Sequence, residues 1–190
     1  MEHPVTAVYD ANILYPAPLR DLFIRLAQTG LVRARWTETI HDEWTRNVIK
    51  DNPQLSPERV ARTRTLMNEA VRDCLVTGYE DLIDSLSLPD PDDRHVLAAA
   101  IRTGAEVIVT FNLKDFPAEP LARFDIQAVH PDDFLVGLLD VAPGLVCTAL
   151  KRQRASLLNP PKTADELLST LESQGLTQSV NHLRQFVDLL

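Results

Sequence analysis

Four acidic residues, Asp10, Glu43, Asp93 and Asp115, stand where the surrounding residue pattern puts the ends of strands and the faces of helices. Carboxylates brought together repel one another and some stay protonated at neutral pH, a cost with no structural return in a protein core. Bound divalent cations offset that cost. Mg2+ and Mn2+ are hard ions that take oxygen ligands and keep several waters, so their sites are built from Asp and Glu with Asn or Thr in support. Thr110 and Asn112 stand close before Asp115, and Asp90 and Asp92 close before Asp93. The chemistry such a cluster serves is phosphodiester hydrolysis, in which the ions activate water and hold the leaving oxygen.

The elements that must position these acids follow from the apolar spacing. Val5 to Tyr9 is a short apolar run ending at Asp10, and Leu19, Leu22, Phe23 and Leu26 then recur at helical spacing until Gly30. Val32, Ala34 and Trp36 alternate with arginines as a half-buried strand, and Thr37 can cap a helix whose inner face carries Ile40, Trp44 and Val48, with Glu43 beside it. Ser56-Pro57-Glu58 opens a further helix, with Val60, Met67, Val71 and Cys74 on one face. Leu88 to Asp92 is a rigid entry into a helix expected from Asp93 to Thr103, with Val96, Leu97, Ala100 and Ile101 as its apolar stripe and Gly104 as its stop. Glu106 to Thr110 predicts a buried strand, Phe111 to Asp115 a polar loop, and Ile126 to Val129 a last short strand. Strand alternating with helix to about residue 140 implies an α/β fold with a parallel sheet flanked by helices. In such sheets ligands sit outside the carboxyl ends of the strands, where Asp10 and the loop from Asn112 to Asp115 both lie.

Composition narrows the class. A chain of 190 residues with 45% hydrophobic residues can bury a sizeable core, and six glycines and thirteen prolines without repeats suit an ordered globular protein. No apolar run approaches the ~20 residues a membrane span needs, and the segment MEHPVTAVYD has no leader pattern, so a soluble cytoplasmic protein is expected. Cys74 and Cys147, both expected on helices, lack C-x-x-C spacing and read as buried reduced thiols. The histidines are scattered, although His41 near Glu43 and His95 near Asp93 leave zinc as a minor alternative. A formal charge of −8 is unfavourable for phosphate binding, but ions at the site would neutralise part of it, and basic residues cluster locally, as in Lys151-Arg152-Gln153-Arg154.

The segments Asp10-Ala11-Asn12-Ile13-Leu14, Ile40-His41-Asp42-Glu43-Trp44, Asp90 to Ala100 (DPDDRHVLAAA) and Val109 to Phe116 (VTFNLKDF) resemble the ordered motifs of PIN-domain nucleases, in particular VapC-type toxins. The resemblance covers roughly residues 4–135 and implies a three-layer α/β/α nuclease domain, with 136–190 as a C-terminal helical extension. In that family the corresponding acids gather one or two Mg2+ or Mn2+ ions. Residue by residue these are Asp10, Glu43, Asp93 and Asp115, with Thr110 and Asn112 as neighbours that orient a ligand or water. Asp90, Asp92 and Asp93 compete for the third position. Asp93 is preferred because its distance to the Ala-rich stripe and Gly104 matches the family, with Asp90 supporting or replacing it. The resemblance further implies an endoribonuclease leaving a 5′-phosphate and a 3′-hydroxyl, blocked by a cognate antitoxin protein.

Other functions stay open beside this one. Taken singly, Asp10 could be a turn residue, Glu43 a surface carboxylate and Asp93 a partner of a helix N-terminus. A PIN-like module that holds RNA or a protein without cutting, and a housekeeping RNA-processing nuclease, are the alternatives to a toxin. A phosphatase using Asp10 as nucleophile is disfavoured, since Asp10-Ala11-Asn12 lacks the second Asp and no partner Lys stands out. In the tail, Pro143 to Leu158 predicts a helix bearing Lys151, Arg152 and Arg154, Thr163 to Glu166 starts a second that Gly175 ends, and Thr177 to Leu190 forms a third. Its expected role is to cover the core, with an RNA-contacting arm or an antitoxin or homodimer contact as alternatives.

Overall fold

The computed structural model describes residues 3–190. Its elements, in chain order, are β1 (Val5–Tyr9), α1 (Ala11–Leu14), α2 (Ala17–Gln28), β2 (Val32–Arg35), α3 (Glu38–Asp51), α4 (Pro57–Ala70), α5 (Glu80–Ile83), α6 (Arg94–Thr103), β3 (Val107–Val109), α7 (Ala118–Ala122), β4 (Gln127–Val129), α8 (Pro131–Val141), α9 (Pro143–Ser156), α10 (Ala164–Ser173) and α11 (Thr177–Leu183). The four strands form one sheet in the order β2-β1-β3-β4 with every neighbouring pair parallel. Successive strand residues point to opposite faces, so Ala7, Val8 and Tyr9 are all fully buried only because helices cover both sides. The architecture is the α/β fold that the strand-helix alternation predicts.

The two central strands place the acids. β1 pairs with β3 from Ala7–Val107 to Tyr9–Val109, so Asp10 and Thr110 leave the sheet side by side. Thr37 caps α3 by accepting from the Ile40 amide, as its sequence position predicts. An aromatic block then fixes α3 in place. Trp44 donates to His41 Nδ1 (2.9 Å), which leaves the proton of a neutral His41 on Nε2, facing Asn68 Oδ1 at 2.9 Å. Burial holds His41 below its usual pKa, in keeping with that neutral form. Arg20 reaches across to donate to the carbonyls of Leu14 (2.6 Å) and Tyr15 (3.1 Å), with its guanidinium 4.7 Å from the Trp44 ring centre. The end of α1 is thereby tied to the face of α3 that carries Glu43.

Several element bounds differ from those the spacing predicts. The helix expected to run to Cys74 ends at Ala70; Asp73 takes φ of 54°, and Cys74 lies in an extended link whose backbone exchanges hydrogen bonds with Trp36. Cys74 and Cys147 are both buried free thiols. The expected helix start at Asp93 is a single 3-10 turn, Pro91–Asp93, capped by Asp90, before α6 begins at Arg94. The helix predicted to reach Leu158 stops at Ser156, and the one predicted to reach Leu190 stops at Leu183 and continues as 3-10 turns over Arg184–Leu189. The strand expected over Glu106 to Thr110 is β3 over Val107–Val109, flanked by Glu106, whose amide donates to the Thr6 carbonyl (3.0 Å) and whose carbonyl accepts from the Gln127 amide (3.0 Å).

The C-terminal elements dock on the sheet-bearing part. α9 lies along α2, where buried Gln153 donates to the Pro18 carbonyl (2.8 Å), and α11 packs on α8. Buried Asp132 accepts from the Gln178 amide (2.8 Å), the Ser179 amide (2.8 Å) and the Ser179 hydroxyl (2.6 Å), closing the N-terminus of α11 with a carboxylate.

Candidate functional site

Asp10 is nearly buried, 5% exposed, at the carboxyl end of β1. Its Oδ1 accepts from the Ala11 amide (2.6 Å), and its Oδ2 accepts from Asn12 Nδ2 (2.6 Å) and the Thr110 hydroxyl (2.7 Å). Burial nevertheless raises its pKa above the usual carboxylate value, against those donors. Thr110 Oγ1 also accepts from Asn12 Nδ2 (2.9 Å) and from the Asn112 amide (2.9 Å), and Asn12 Oδ1 accepts from the Phe111 amide (3.1 Å). Asn12 thus joins the end of β1 to the loop after β3. In that loop Asn112 Nδ2 donates to Asp115, which sits in a 3-10 turn at Leu113–Asp115.

Asp90, Asp93 and Asp115 each offer a carboxylate oxygen within 4.8 Å of the others. Asp93 carries the electrostatic cost. Its pKa is pushed up to about 6 by burial first, then by the charges of Asp10, Asp90 and Asp115, with His95 acting in the opposite direction. Its Oδ2 is buried without a hydrogen-bond partner among the described residues. Glu43 approaches from α3, with Oε1 2.9 Å from Nε2 of the buried His95 on α6. Asp10, Glu43 and Asp93 share an open depression of about 460 Å³ with Asn12, Asn112 and Arg46.

The donor set fits a hard divalent cation. It consists of carboxylate oxygens, two of the acids are raised in pKa by their surroundings, and one buried oxygen has no protein donor. An unpaired buried carboxylate oxygen is expensive, and a cation is the partner that a set of acceptors without donors calls for.

Of the residues named from sequence, Asp10, Glu43, Asp93 and Asn112 line the depression, Thr110 donates to Asp10, and Asp90 and Asp115 stand beside Asp93 without lining it. Lys151, Arg152 and Arg154 do not line it; the first two are exposed on α9, and the Nε of Arg154 is buried there. Sequence spacing does not single out Asn12 or Arg46 as parts of the site, and it notes His95 only beside Asp93 as a minor zinc alternative, not as the partner of Glu43. Asn12 had a signal in its position two residues after Asp10. Arg46 had one in being a helical turn beyond Glu43 on the same face. His95 depended on the crossing of α3 and α6, which no local pattern encodes.

Comparison with known proteins agrees with this geometry. The PIN domain family profile matches residues 6–114, and the profile described as the VapC50 C-terminal domain matches 131–185. A protein of Mycobacterium tuberculosis (strain ATCC 25618 / H37Rv) named "Putative ribonuclease VapC50" is 44% identical over 97 residues, an alignment that takes in 51% of this chain and 57% of that protein. No solved structure gives a significant match. With more than half of its length matched by the domain profile, over the segments that carry Asp10, Glu43, Asp90 and Asp93, the chain belongs to the PIN-domain family.

Proposed function

We propose that this chain is a divalent-metal-dependent endoribonuclease and the toxin of a toxin–antitoxin pair, working in the cytoplasm. The observation that carries this is the Asp93 carboxylate, pushed up to about 6 and left with a buried unpartnered oxygen among Asp10, Asp90 and Asp115. The choice of RNA over DNA follows the name of the mycobacterial relative, and the antitoxin partner follows the VapC likeness. Residues 4–135 form the nuclease part and 136–190 the extension in this proposal.

Asp10, Glu43, Asp93 and Asp115 would hold one or two Mg2+ or Mn2+ ions, with Asp90 as support for Asp93. Such ions supply activation of water and charge stabilisation at the leaving oxygen. The remaining groups act by position. Thr110 and Asn12 hold the Asp10 carboxylate in one rotamer, and Asn112 does the same for Asp115. His95 engages one oxygen of Glu43 and leaves the other for the depression. Arg46, the cation of that depression, is placed to bind a phosphate flanking the cut. Lys151 and Arg152 on α9 would meet only a strand extending beyond the depression.

The test is to incubate the purified chain with total bacterial RNA in Mn2+ or Mg2+, beside a chelator control and Asp93→Asn, and to map 5′-phosphate ends. Discrete cuts that need both metal and Asp93 are expected. No cutting together with no Mn2+ binding by calorimetry overturns the proposal, whereas Mn2+ binding without cutting points to a binding module.

A further inference from the structure

The loop that carries Asn112 and Asp115 is held from two directions. On the sheet side, the Phe111 amide donates to Asn12 Oδ1 (3.1 Å) and the Asn112 amide to Thr110 Oγ1 (2.9 Å). On the other side the Phe111 ring leaves the sheet and meets the C-terminal elements. It stands edge-on to His130, with ring centres 5.0 Å apart at 81°. It also lies over Gly175, the middle of the three residues between α10 and α11, so closely that a Cβ there would fall 3.2 Å from Phe111 Cε1. Gly175 has φ of +94°, which L side chains rarely adopt, and its missing side chain gives the ring its seat.

The seat itself is anchored. His130 Nδ1 accepts from the Asp132 amide (3.2 Å), and the Asp132 carboxylate closes the N-terminus of α11 just beyond Gly175. A connected path therefore runs from Asp10 through Asn12 to Phe111, and from Phe111 to His130 before α8 and to Gly175 in the C-terminal extension.

We infer that the turn between α10 and α11 is a working part of the acidic site: by seating the Phe111 ring at Gly175 it positions the loop from Asn112 to Asp115. Phe111 and Gly175 are positioning residues, since neither lines the acidic depression. The inference rests on the proposed metal site for its consequence in ion binding but not for its consequence in loop order. Tied only to the sheet, the loop holds Asp115 through Asn112, whose amide donates to Thr110 and whose side chain donates to Asp115, so any drift of Phe111 passes on to both. Seating the ring removes that drift, so the carboxylate is in place before any ion arrives.

The experiment uses the full chain with Gly175→Ala, Gly30→Ala and the double variant Gly175→Ala with Phe111→Leu. Gly30 has a similar φ of +83° but no atom within 4 Å of its added Cβ, so it reproduces the backbone strain without touching the loop. Mn2+ affinity is read by calorimetry, and loop order by hydrogen exchange of the amides of residues 111–115 without metal. Gly175→Ala is expected to weaken Mn2+ binding about tenfold and to speed exchange in the loop, Gly30→Ala to do neither, and adding Phe111→Leu to Gly175→Ala to make neither loss larger, since the seat is already gone. Equal behaviour of the two glycine variants, or a further loss when Phe111→Leu is added to Gly175→Ala, overturns the inference. If the parent chain does not bind Mn2+, the metal-site proposal fails while the exchange comparison still decides the role of the turn. If Gly175→Ala does not fold, Phe111→Leu alone replaces it, and unchanged loop exchange in that variant overturns the inference.

Discussion

Asp93 is a poor place to put a negative charge until something positive arrives. With its pKa raised to about 6, its proton is bound more tightly in the folded chain than in the unfolded one. The sign follows from linkage: this group favours folding at pH below the ordinary carboxylate value, and its contribution is lost as pH rises through about 6. Metal-free protein should therefore melt at a lower temperature as pH climbs across that window, and Asp93→Asn should flatten the dependence while abolishing Mn2+ binding. Thermal unfolding in chelator checks this; a parent melting temperature that is level or rising across the window, unaltered in the variant, rules it out. His95 makes a second case. His95→Leu removes the donor to Glu43 and is expected to lower Mn2+ affinity about 10- to 100-fold, whereas His95→Gln, which keeps a donor amide, should recover part of it. Equal affinities for the Leu and Gln variants would show that the hydrogen bond does not matter. The acids themselves were legible in the sequence, because Asp10, Glu43 and Asp115 occupy element ends and faces that apolar spacing defines. His95 was not, because its partner lies 52 residues away and the two meet only once α3 and α6 are packed.

At the level of elements, legibility divides along the same line of local against long-range causes. Ser56 and Thr163 cap helices where their positions predict, and Thr163 with Glu166 forms the reciprocal capping box, since every group involved lies within four residues. Cys74 leaves its expected helix because its carbonyl and the Val76 amide pair with Trp36, a residue on the far side of α3 in sequence. The closure of α11 is also long-range: Asp132 serves donors at Gln178 and Ser179, so α11 has its cap in α8 rather than beside it. Replacing Asp132 by Ala would strand two amides and a buried hydroxyl, and a loss of about 3 kcal/mol in denaturant unfolding is expected. Asp132→Asn should lose less, since its amide oxygen still accepts. A loss under about 1 kcal/mol for the Ala variant would mean that water replaces the carboxylate and that the α8–α11 contact is held by apolar packing alone.

For the whole molecule, the proposed function asks how a chain of formal charge −8 would hold a polyanion. Bound ions would answer part of it at the cut itself. Beyond the cut, each phosphate neutralised by a side chain releases counterions and steepens the fall of affinity with salt, by about 0.7 in log–log slope for a single strand. Two places where cations stand can be told apart, Arg46 in the acidic depression and the pair Lys151 and Arg152 exposed on α9 outside it. If RNA engages only the depression, the dependence of kcat/KM on salt should be shallow for a nuclease. Arg46→Gln should then reduce the slope by roughly one phosphate's worth and raise KM more than it lowers kcat, because it holds substrate without touching the reacting atoms. Lys151→Gln with Arg152→Gln should leave the slope where it was. A slope that drops in the α9 double variant instead would place the strand along the extension, and would give those basic residues the RNA-contacting role that their sequence cluster suggests.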